Sequence, residues 1–404
     1  MFVASYGWDL CSLDVKAAFL QGKALERDIF LKPPAEADCH GKLWKLKKCV
    51  YGLNDASRMW YFAVLEKLES LGCVRSKFDY GVFFWRYDGK LEGVIEMHVD
   101  DLLWSGTQVF VKEVVQPFCS HFEIGTELKK CFQYLGLSIS QADNGIRVNQ
   151  FQYVDEIGGV ALQKSSKSCK ETPCSAEETR QFRKSVGQLN WVASQTRPDV
   201  SFDVCYLSSV MSSPTVADAI LLNKCIKKVK CEPVELLFPA IPDIHSAEII
   251  LYSDASLANL PSGRSVGGVI LFLVGSGGSS GPLLWKSCSL KRIVRSTLAA
   301  EVCAGIEGLD AAYFISCVVE EMLLKRPRLS AKTDNKPFYK NAISTTLVSE
   351  HRLRVDLAAV KEMIAKRELS CLSWVPKAEQ LADCLTKRGA NPRVLLDVLE
   401  EGRI

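Results

Sequence analysis

Two adjacent carboxylates, Asp100 and Asp101, carry the strongest chemical signal in this chain of 404 residues. They follow His98 and Val99 between two apolar runs, a pattern that predicts a strand, a tight turn and a second strand. Neighbouring negative charges repel each other, and divalent cations relieve that repulsion. The pair therefore indicates a metal site at the tip of a hairpin, although an Asp-Asp pair taken alone more often marks a solvated turn.

A third acid, Asp14, lies in the apolar segment 13–20, which has the pattern of a strand. A carboxylate on a buried strand needs a partner, and an ion pair with Lys16 is one solution. If this strand neighbours the hairpin instead, Asp14 joins Asp100 and Asp101 in a cluster of three carboxylates. Such a cluster can hold the two divalent ions used in in-line phosphoryl transfer.

Residues 45–61 form a basic stretch, a glycine turn and then a helix rich in aromatic residues. Lys48 and Arg58 are its candidate binding cations, and Gly52 is the turn. Cations and a close approach of the backbone suit a triphosphate or a nucleic-acid backbone. A solvated run of charges before a core helix is the alternative.

Four further acids occur in the second half, each at a predicted strand end or on a predicted helix beside the sheet: Asp254, Glu301, Asp334 and Asp383. Residues 249–256 and 267–274 have the pattern of two paired buried strands, and the helix that carries Glu301 is predicted to begin at Ser296 or Thr297. Asp383 is expected on a helix that follows a short strand. Four carboxylates so placed can bind two Mg²⁺ or Mn²⁺ ions, because oxygen ligands suit these ions and not zinc.

Two flanking features bear on substrate binding. The best basic patch near the four acids comprises four residues: Lys286, Lys291, Arg292 and Arg295. It suits the phosphates of a duplex, and a solvated loop is an equally good reading. His351, at a predicted helix start, is a candidate for proton transfer or for a structural role in the first turn.

The composition limits the class of protein but does not identify a function. With 48% apolar residues the chain can bury two or three cores, and its net charge of +3 means that any nucleic-acid binding must come from local basic patches. Its sixteen cysteines include no Cys-x-x-Cys pair, which favours reduced intracellular thiols. We also expect no secretory segment and no apolar run long enough to span a membrane.

Taken in order, these motifs resemble the reverse transcriptase of a Ty1/copia-type retrotransposon Pol polyprotein. The resemblance rests on the segment around Asp14, the Tyr-Gly-Leu segment that leads to Arg58-Met59-Trp60-Tyr61, the Asp-Asp hairpin, and then Tyr134-Leu135-Gly136-Leu137. Residues 245–390 resemble the ribonuclease H domain that such transposable elements carry after the polymerase. The implied fold class is multidomain, α+β and α/β. A palm with an antiparallel sheet and helices precedes a ribonuclease H-like mixed five-stranded sheet with helices.

The resemblance also implies roles for residues. Asp14 and Asp100 would hold the polymerase metals, and Asp101 would support them. Phe19 would be the gate that rejects a ribose 2′-OH, although an ordinary core aromatic is the alternative. Tyr134 and Gly136 belong to an element that resembles the primer grip. In the nuclease, the four acids named above would hold two ions per active site.

The implied function is an RNA-directed DNA polymerase, a nucleotidyltransferase, joined to a ribonuclease H, an endonuclease that degrades the RNA of the hybrid. The implied partners are an RNA template, a DNA primer, the RNA/DNA hybrid and deoxynucleoside triphosphates, with no membrane, in a cytoplasmic particle or the nucleus. His98 stands where the family has Tyr or Phe, and Asn54-Asp55 stands where it has Lys-Gln. Two alternatives remain: a chain active only as a ribonuclease H, and a co-opted or decayed copy that binds nucleic acid without catalysis.

The sequence predicts four regions. Residues 1–155 would be the palm and thumb, without the fingers segment that precedes Asp14 in the family. Residues 156–242 would connect them to the nuclease at 243–390, with a boundary near Pro239 to Pro242. Residues 391–404 would be a C-terminal tail.

Overall fold

The structure is a computed structural model that describes residues 1–37, 41–162, 170–344, 348 and 350–404. Its contacts separate two compact units: Gly7–Tyr134, and Leu135–Ile404 together with Met1–Tyr6. Both units mix helices with sheets, so the predicted α+β and α/β class is confirmed.

The smaller unit is built on one sheet of six strands, in the order β4-β5-β6-β7-β1-β8. A short helix, α1 (Phe2–Tyr6), precedes it in the chain. Its elements follow in order: β1 (Cys11–Val15), α2 (Ala18–Gln21), β2 (Phe30–Leu31), β3 (Trp44–Lys45), α3 (Ala56–Ser70), β4 (Val74–Arg75), β5 (Val82–Tyr87), β6 (Lys90–His98), β7 (Asp101–Gly106), α4 (Gln108–Phe110), a π-helical turn at Val111–Val115, α5 (Gln116–His121), β8 (Ile124–Lys129) and β9 (Cys131–Tyr134).

Apolar periodicity explains how α3 covers this sheet. Its buried residues Trp60, Val64 and Leu68 recur every four positions, so they share one helix face. They pack in one core with strand residues such as Leu13 and Ile95. The sheet and this helix hold β1 and the β6-β7 hairpin side by side.

The larger unit contains a second and a third sheet. Its elements, after α1, are β10 (Leu137–Ala142), β11 (Gly145–Asn149), α6 (Phe151–Asp155), α7 (Ala176–Gln195), α8 (Ser201–Ser209), α9 (Val216–Cys231), β12 (Leu236–Phe238), β13 (Glu248–Ser256), β14 (Val266–Val274), β15 (Ser280–Ser289), α10 (Thr297–Leu323), β16 (Arg328–Thr333), α11 (Lys336–Ile343), α12 (His351–Ala365), β17 (Cys371–Trp374) and α13 (Arg393–Glu401). Strands β10, β11 and β12 pair antiparallel.

The third sheet is the predicted mixed sheet of five strands. Its order is β15-β14-β13-β16-β17. Strands β13, β14 and β15 are antiparallel neighbours, whereas β16 and β17 continue the sheet in parallel. Parallel neighbours need crossover connections, and helices α10 and α12 supply them. The long helix α10 packs its buried face on the core of this sheet.

Helices α7, α8 and α9 are fastened by a buried ion pair at the turn after α7. Arg197 and Asp199 are almost completely buried and form two hydrogen bonds, at 2.8 and 2.9 Å. Lys228 of α9 adds a second cation 2.9 Å from Asp199 Oδ2. Arg197 also donates to the carbonyl oxygens of Val229 and Glu232, where α9 ends. Burial by itself raises the pKa of Asp199, but the hydrogen bonds and charges of Arg197 and Lys228 outweigh it and lower that pKa.

The structure corrects the predicted C-terminal tail. Residues 393–401 form helix α13, whose Leu395, Leu396 and Leu399 are buried in one core with β13 and β14. Beyond the helix, Ile404 N–H donates to the Gly278 carbonyl oxygen at 2.9 Å. The apolar residues are spaced on one helix face, so this segment completes the core beside the five-stranded sheet.

The predicted region boundaries also differ from the two compact units. The segment 156–242 belongs to the same unit as the five-stranded sheet, with no break near residues 239–242. Trp285 Nε1 of β15 donates to the Ala193 carbonyl oxygen of α7 at 2.7 Å, and Arg388 pairs with Asp203 of α8 at 2.7 Å. These contacts join helices α7 and α8 to the unit that holds the five-stranded sheet, so packing continues across the boundary predicted near residues 239–242.

One helix of the described residues, α10, is long and apolar enough to cross a membrane. This corrects the expectation that no apolar run reaches that length. The same composition occurs in core helices of globular domains, and α10 buries Val302, Leu309 and Val319 in the sheet core. Length and composition are therefore weak evidence for a membrane span here.

Candidate active sites

The first site lies where β1 meets the β6-β7 hairpin. β1 pairs antiparallel with β7, and Asp14 lies directly opposite Asp101. The backbone N–H of Val15 donates to the Asp100 carbonyl oxygen at 3.0 Å. Val99 makes the turn with a positive φ of 57°, and Trp60 Nε1 donates to its carbonyl oxygen at 2.6 Å. The neighbouring strands predicted for Asp14 and the Asp-Asp pair are therefore present.

Asp14 lies beside a position that has no side chain. Gly125 of β8 is opposite an irregularity in the β1-β8 pairing, and a Cβ atom there would collide with Asp14 Oδ2. Burial, followed by the charges of Asp100 and Asp14, raises the pKa of Asp101. A raised pKa is typical of a partly buried carboxylate that lies close to other negative charges.

The two sites differ in how closely their acids converge. In the described part of the chain, only one set of three acids meets with ligand atoms within 4.8 Å of one another: Asp254, Glu301 and Asp334. Asp14, Asp100 and Asp101 share a sheet edge without reaching this spacing. Their action as metal ligands stays a prediction.

Residues predicted to bind substrate near the first site are partly accessible. Phe19 lies on α2, half-buried, with its ring centroid 4.6 Å from that of Tyr51. Tyr51 is 61% exposed and was not identified from the sequence, although its place beside Gly52 was a usable signal. Lys48 and Arg58 are exposed, and Gly52 has a φ of 97°, which favours glycine.

Tyr134, a predicted substrate-binding residue, is buried, and its contact with substrate stays a prediction. Its side chain is only 6% exposed, and its hydroxyl donates to Glu96 Oε2 at 2.5 Å. Burial raises the pKa of Glu96, although the Tyr134 hydrogen bond opposes that shift. Gly136 has a φ of 78° and lies close to Tyr153 and Trp191, so it serves the turn.

The second site is assembled from four elements around β13. Asp254 lies on β13, Glu301 in the first turns of α10, and Asp334 directly after β16. The Ser296 side chain caps α10 by accepting from Ala299 N–H at 3.1 Å, as predicted, and this fixes where Glu301 falls on the helix. Asp254 and Glu301 are buried, and Asp334 is half-buried.

Electrostatic repulsion within this set is strong. Burial, followed by the charges of Asp254 and Asp334, raises the pKa of Glu301 to about 9. Burial also raises the pKa of Asp254 to about 6, against the opposing effects of Lys387 and Thr386. The carboxylates thus carry an electrostatic cost that a divalent cation would relieve.

The residues fit a hard divalent cation. Glu301 Oε2 is buried and makes no hydrogen bond to any described residue. It belongs to the set of three carboxylates that converge within 4.8 Å. An unpartnered buried oxygen beside two more carboxylates is the donor set that Mg²⁺ or Mn²⁺ accepts.

Asp383 lies on a 3₁₀ turn, Asp383–Leu385, and not on the α-helix predicted for it. The buried Gln380 side chain holds this turn to β13 by donating to the Ser253 carbonyl oxygen at 2.9 Å. Lys387 Nζ lies 2.5 Å from Asp383 Oδ1 and 3.6 Å from Asp254 Oδ2. The Thr386 hydroxyl donates to Asp254 Oδ2.

Sequence reasoning missed both Thr386 and Lys387. The usable signal for Lys387 was its position four residues after Asp383, a spacing that favours ion pairs. Burial lowers the pKa of Lys387, but Asp254 and Asp383 outweigh it and raise that pKa, so the ammonium stays charged.

Two predicted binding residues lie on the flank of α10. Arg295 is exposed and lines a cavity together with Arg292 and Arg352. His351 is the exposed first residue of α12. A phosphate contact by Arg295 and proton transfer by His351 stay predictions.

The raised pKa values predict how stability depends on pH. In the unfolded chain the pKa of a carboxyl group is about 4. In the folded protein the pKa of Glu301 is raised to about 9 and that of Asp254 to about 6. Between these values the folded protein holds more protons, so the free energy of unfolding in EDTA should fall as pH rises from about 5 to about 8. Millimolar Mg²⁺ should reduce this loss of unfolding free energy, because the bound metal replaces the protons on the carboxyl groups.

Thermal unfolding across this range, with and without Mg²⁺, measures the effect. Glu301→Gln is the control, because it removes the main titrating group and should flatten the profile in EDTA. An equal slope in Glu301→Gln and in the unaltered chain would contradict the assignment.

The family model described as reverse transcriptase (RNA-dependent DNA polymerase) matches residues 1–173. This match covers 173 of the 404 residues of the chain. The Asp-Asp hairpin and β1 thus lie in a reverse transcriptase domain, and the resemblance inferred from motif order is confirmed.

The relatives are Pol polyproteins of copia-type transposons. The chain is 25% identical to the retrovirus-related Pol polyprotein from transposon RE1 of Arabidopsis thaliana, over 94% of this chain and 26% of that protein. It is 24% identical to that from transposon TNT 1-94 of Nicotiana tabacum, over 95% of this chain and 30% of that protein. The chain therefore spans about a quarter to a third of the length of these relatives.

A solved structure supports the fold. The foamy viral protease-reverse transcriptase in complex with RNA/DNA hybrid aligns with a TM-score of 0.54 and 11% identity. The alignment covers 95% of this chain and 45% of that one. After the reverse transcriptase domain, the mixed five-stranded sheet with acids on β13, on α10 and after β16 is a ribonuclease H-like fold.

Proposed function

We propose that this chain copies the RNA of a retrotransposon into DNA and degrades the RNA strand of the resulting hybrid. The observation that carries the nuclease half is the convergence of Asp254, Glu301 and Asp334 within 4.8 Å. The polymerase half is supported by the reverse transcriptase family of residues 1–173 and by the pairing of Asp14 with Asp101. The proposed partners are an RNA template, a DNA primer, the RNA/DNA hybrid and deoxynucleoside triphosphates.

In the nuclease site, Glu301 and Asp334 would hold one side of a divalent cation pair and Asp383 the other, with Asp254 shared between them. When bound, two Mg²⁺ or Mn²⁺ ions supply Lewis acidity for water attack and for the leaving 3′ oxygen. Thr386 keeps the Asp254 carboxylate oriented through its hydroxyl. Arg295 and its exposed neighbours would hold the phosphates of the hybrid.

In the polymerase site, Asp14 and Asp100 would hold the metals, with Asp101 beside them. The half-buried Phe19, whose ring packs against Tyr51, would close the space next to the ribose 2′ position of an incoming nucleotide. Exposed Lys48 and Arg58 would contact phosphates. We propose that these steps occur without a membrane, in a cytoplasmic particle or the nucleus.

A nuclease-only function is the second candidate. It is favoured by one observation: three of the four nuclease acids converge within 4.8 Å, whereas Asp14, Asp100 and Asp101 do not. A co-opted copy that binds hybrid without turnover is the outcome left if both activities fail.

The test is one preparation assayed for cleavage of a labelled RNA/DNA hybrid and for extension of a DNA primer on an RNA template. We expect both activities in Mg²⁺, loss of both in EDTA, and recovery when Mg²⁺ is restored. Cleavage without extension would establish the nuclease-only candidate. Neither activity in folded protein that still binds hybrid would refute the enzymatic proposal.

A further inference from the structure

The Lys387 side chain contacts the carboxylates of two proposed nuclease acids, Asp383 and Asp254. Its Nζ lies 2.5 Å from Asp383 Oδ1 and 3.6 Å from Asp254 Oδ2. Asp254 also belongs to the group of three converging acids, and no lysine pairs with its other two members, Glu301 and Asp334, among the ion pairs of described residues. Asp254 is thus shared between a group whose other two acids are open to a divalent cation and a pair that Lys387 already bridges.

An ammonium and a divalent ion cannot share this position. Mg²⁺ binds carboxylate oxygens at about 2.1 Å, so an ion bound to both Asp383 Oδ1 and Asp254 Oδ2 would overlap the volume of the Lys387 Nζ. The two cations would also repel each other at close range in a partly buried site. Either the lysine or the ion can occupy the gap between the two aspartates, but not both.

The lysine can be displaced. Its side chain is 34% exposed, whereas Asp383 is 13% exposed and Asp254 is 3% exposed. The flexible four-carbon stem of lysine allows its ammonium group to move to solvent while the carboxylates remain. The acids are held separately, Asp254 by Thr386 and the Asp383 turn by Gln380.

We propose that the Lys387 ammonium group competes with the second divalent ion for the carboxylates of Asp383 and Asp254. The nuclease site would then bind one ion first and a second only when the Lys387 side chain moves away. The proposal rests on the metal site proposed above and concerns the order and affinity of loading. Lys387 would act as a positioning residue: it neutralises Asp383 and Asp254 before the second ion arrives.

Mn²⁺ titration of the full chain, followed by electron paramagnetic resonance of free Mn²⁺, tests this. The background carries Asp14→Asn and Asp100→Asn to disable the proposed polymerase site. We expect one tighter binding event and one weaker event, and Lys387→Gln should tighten only the weaker one. The expected gain is about tenfold or more, because a charge within a few ångströms typically shifts binding of another charge by that factor.

Two variants serve as controls. Lys387→Arg keeps the charge and should leave the weaker event weak. Lys366→Gln removes a lysine of the same spacing, since Lys366 pairs with Glu362 at 2.6 Å four residues away, but it lies outside the site and should change neither event.

Unfolding supplies a second readout if Lys387→Gln folds poorly without metal. Mn²⁺ should raise its melting temperature more than that of the parent, because a tighter site gives more ligand-linked stability. Equal titrations and equal metal-induced melting shifts in Lys387→Gln and Lys366→Gln would overturn the competition while leaving the metal site intact. Absence of Mn²⁺ binding in every folded variant would overturn both the site and the competition.

Discussion

Asp254→Asn should reduce cleavage of the RNA/DNA hybrid by more than about 100-fold, because even residues that only support a metal ligand change activity by about 10- to 100-fold. Asp254 is buried and central to the set of acids, so its carboxylate is shared by both proposed ion positions. Primer extension by the same preparation should be unchanged, because Asp254 lies in the larger unit and the polymerase acids lie in the smaller one.

The reciprocal variant completes this prediction. Asp100→Asn should abolish extension and leave cleavage intact. The control for both assays is Asp397→Asn, because Asp397 is a half-buried acid on α13 that pairs with Arg393. Rates from single-turnover assays on labelled substrates measure the effects. Equal loss of both activities in either variant would show that the two sites are not independent, and full cleavage by Asp254→Asn would refute the assigned nuclease site.

Arg197→Ala should lower the free energy of unfolding of the larger unit by about 3–5 kcal/mol, the usual cost of leaving one partner of a buried ion pair alone. The substitution leaves the buried Asp199 with only Lys228, which is 30% exposed. It also removes the two hydrogen bonds that Arg197 donates at the end of α9. Chemical denaturation followed by tryptophan fluorescence measures the change.

Arg180→Ala is the matched control. Arg180 also forms a two-hydrogen-bond pair, with Glu177 on α7, but both side chains are more than half exposed. Solvent screens such pairs, so no measurable destabilisation is expected. A similar small effect in Arg197→Ala would mean that the buried pair does not fasten the connecting helices.

Prediction from the sequence succeeded where a local pattern and a chemical requirement agreed. The β6-β7 hairpin and the Ser296 cap carry periodic or capping signals that do not depend on distant residues, whereas the five-stranded sheet was predicted from the family resemblance. It was less successful at 391–404, where a short amphipathic segment was taken for a tail. Helix α13 is stabilised by burial against residues far away in the chain, and no local signal gives that information.

The candidate sites also contain residues that the sequence identified and residues that it missed. The seven acids were identified from the sequence because charged residues at the ends of apolar strands are costly without a partner. The hydrogen bond from Tyr134 to Glu96 was not predicted, because nothing nearby in the sequence reveals that partner. Thr386 and Lys387 were missed because their relation to Asp254 spans more than 130 residues.

The sequence by itself determined which acids are present, the order of the motifs, and the match of residues 1–173 to the reverse transcriptase family model. Those properties reside in residue types and short spacings. Only the tertiary structure decided which acids converge, which are bridged by a lysine, and which segments share one core. The reason is physical: repulsion, burial and hydrogen bonding act over a few ångströms in space, and distance along the chain does not define them.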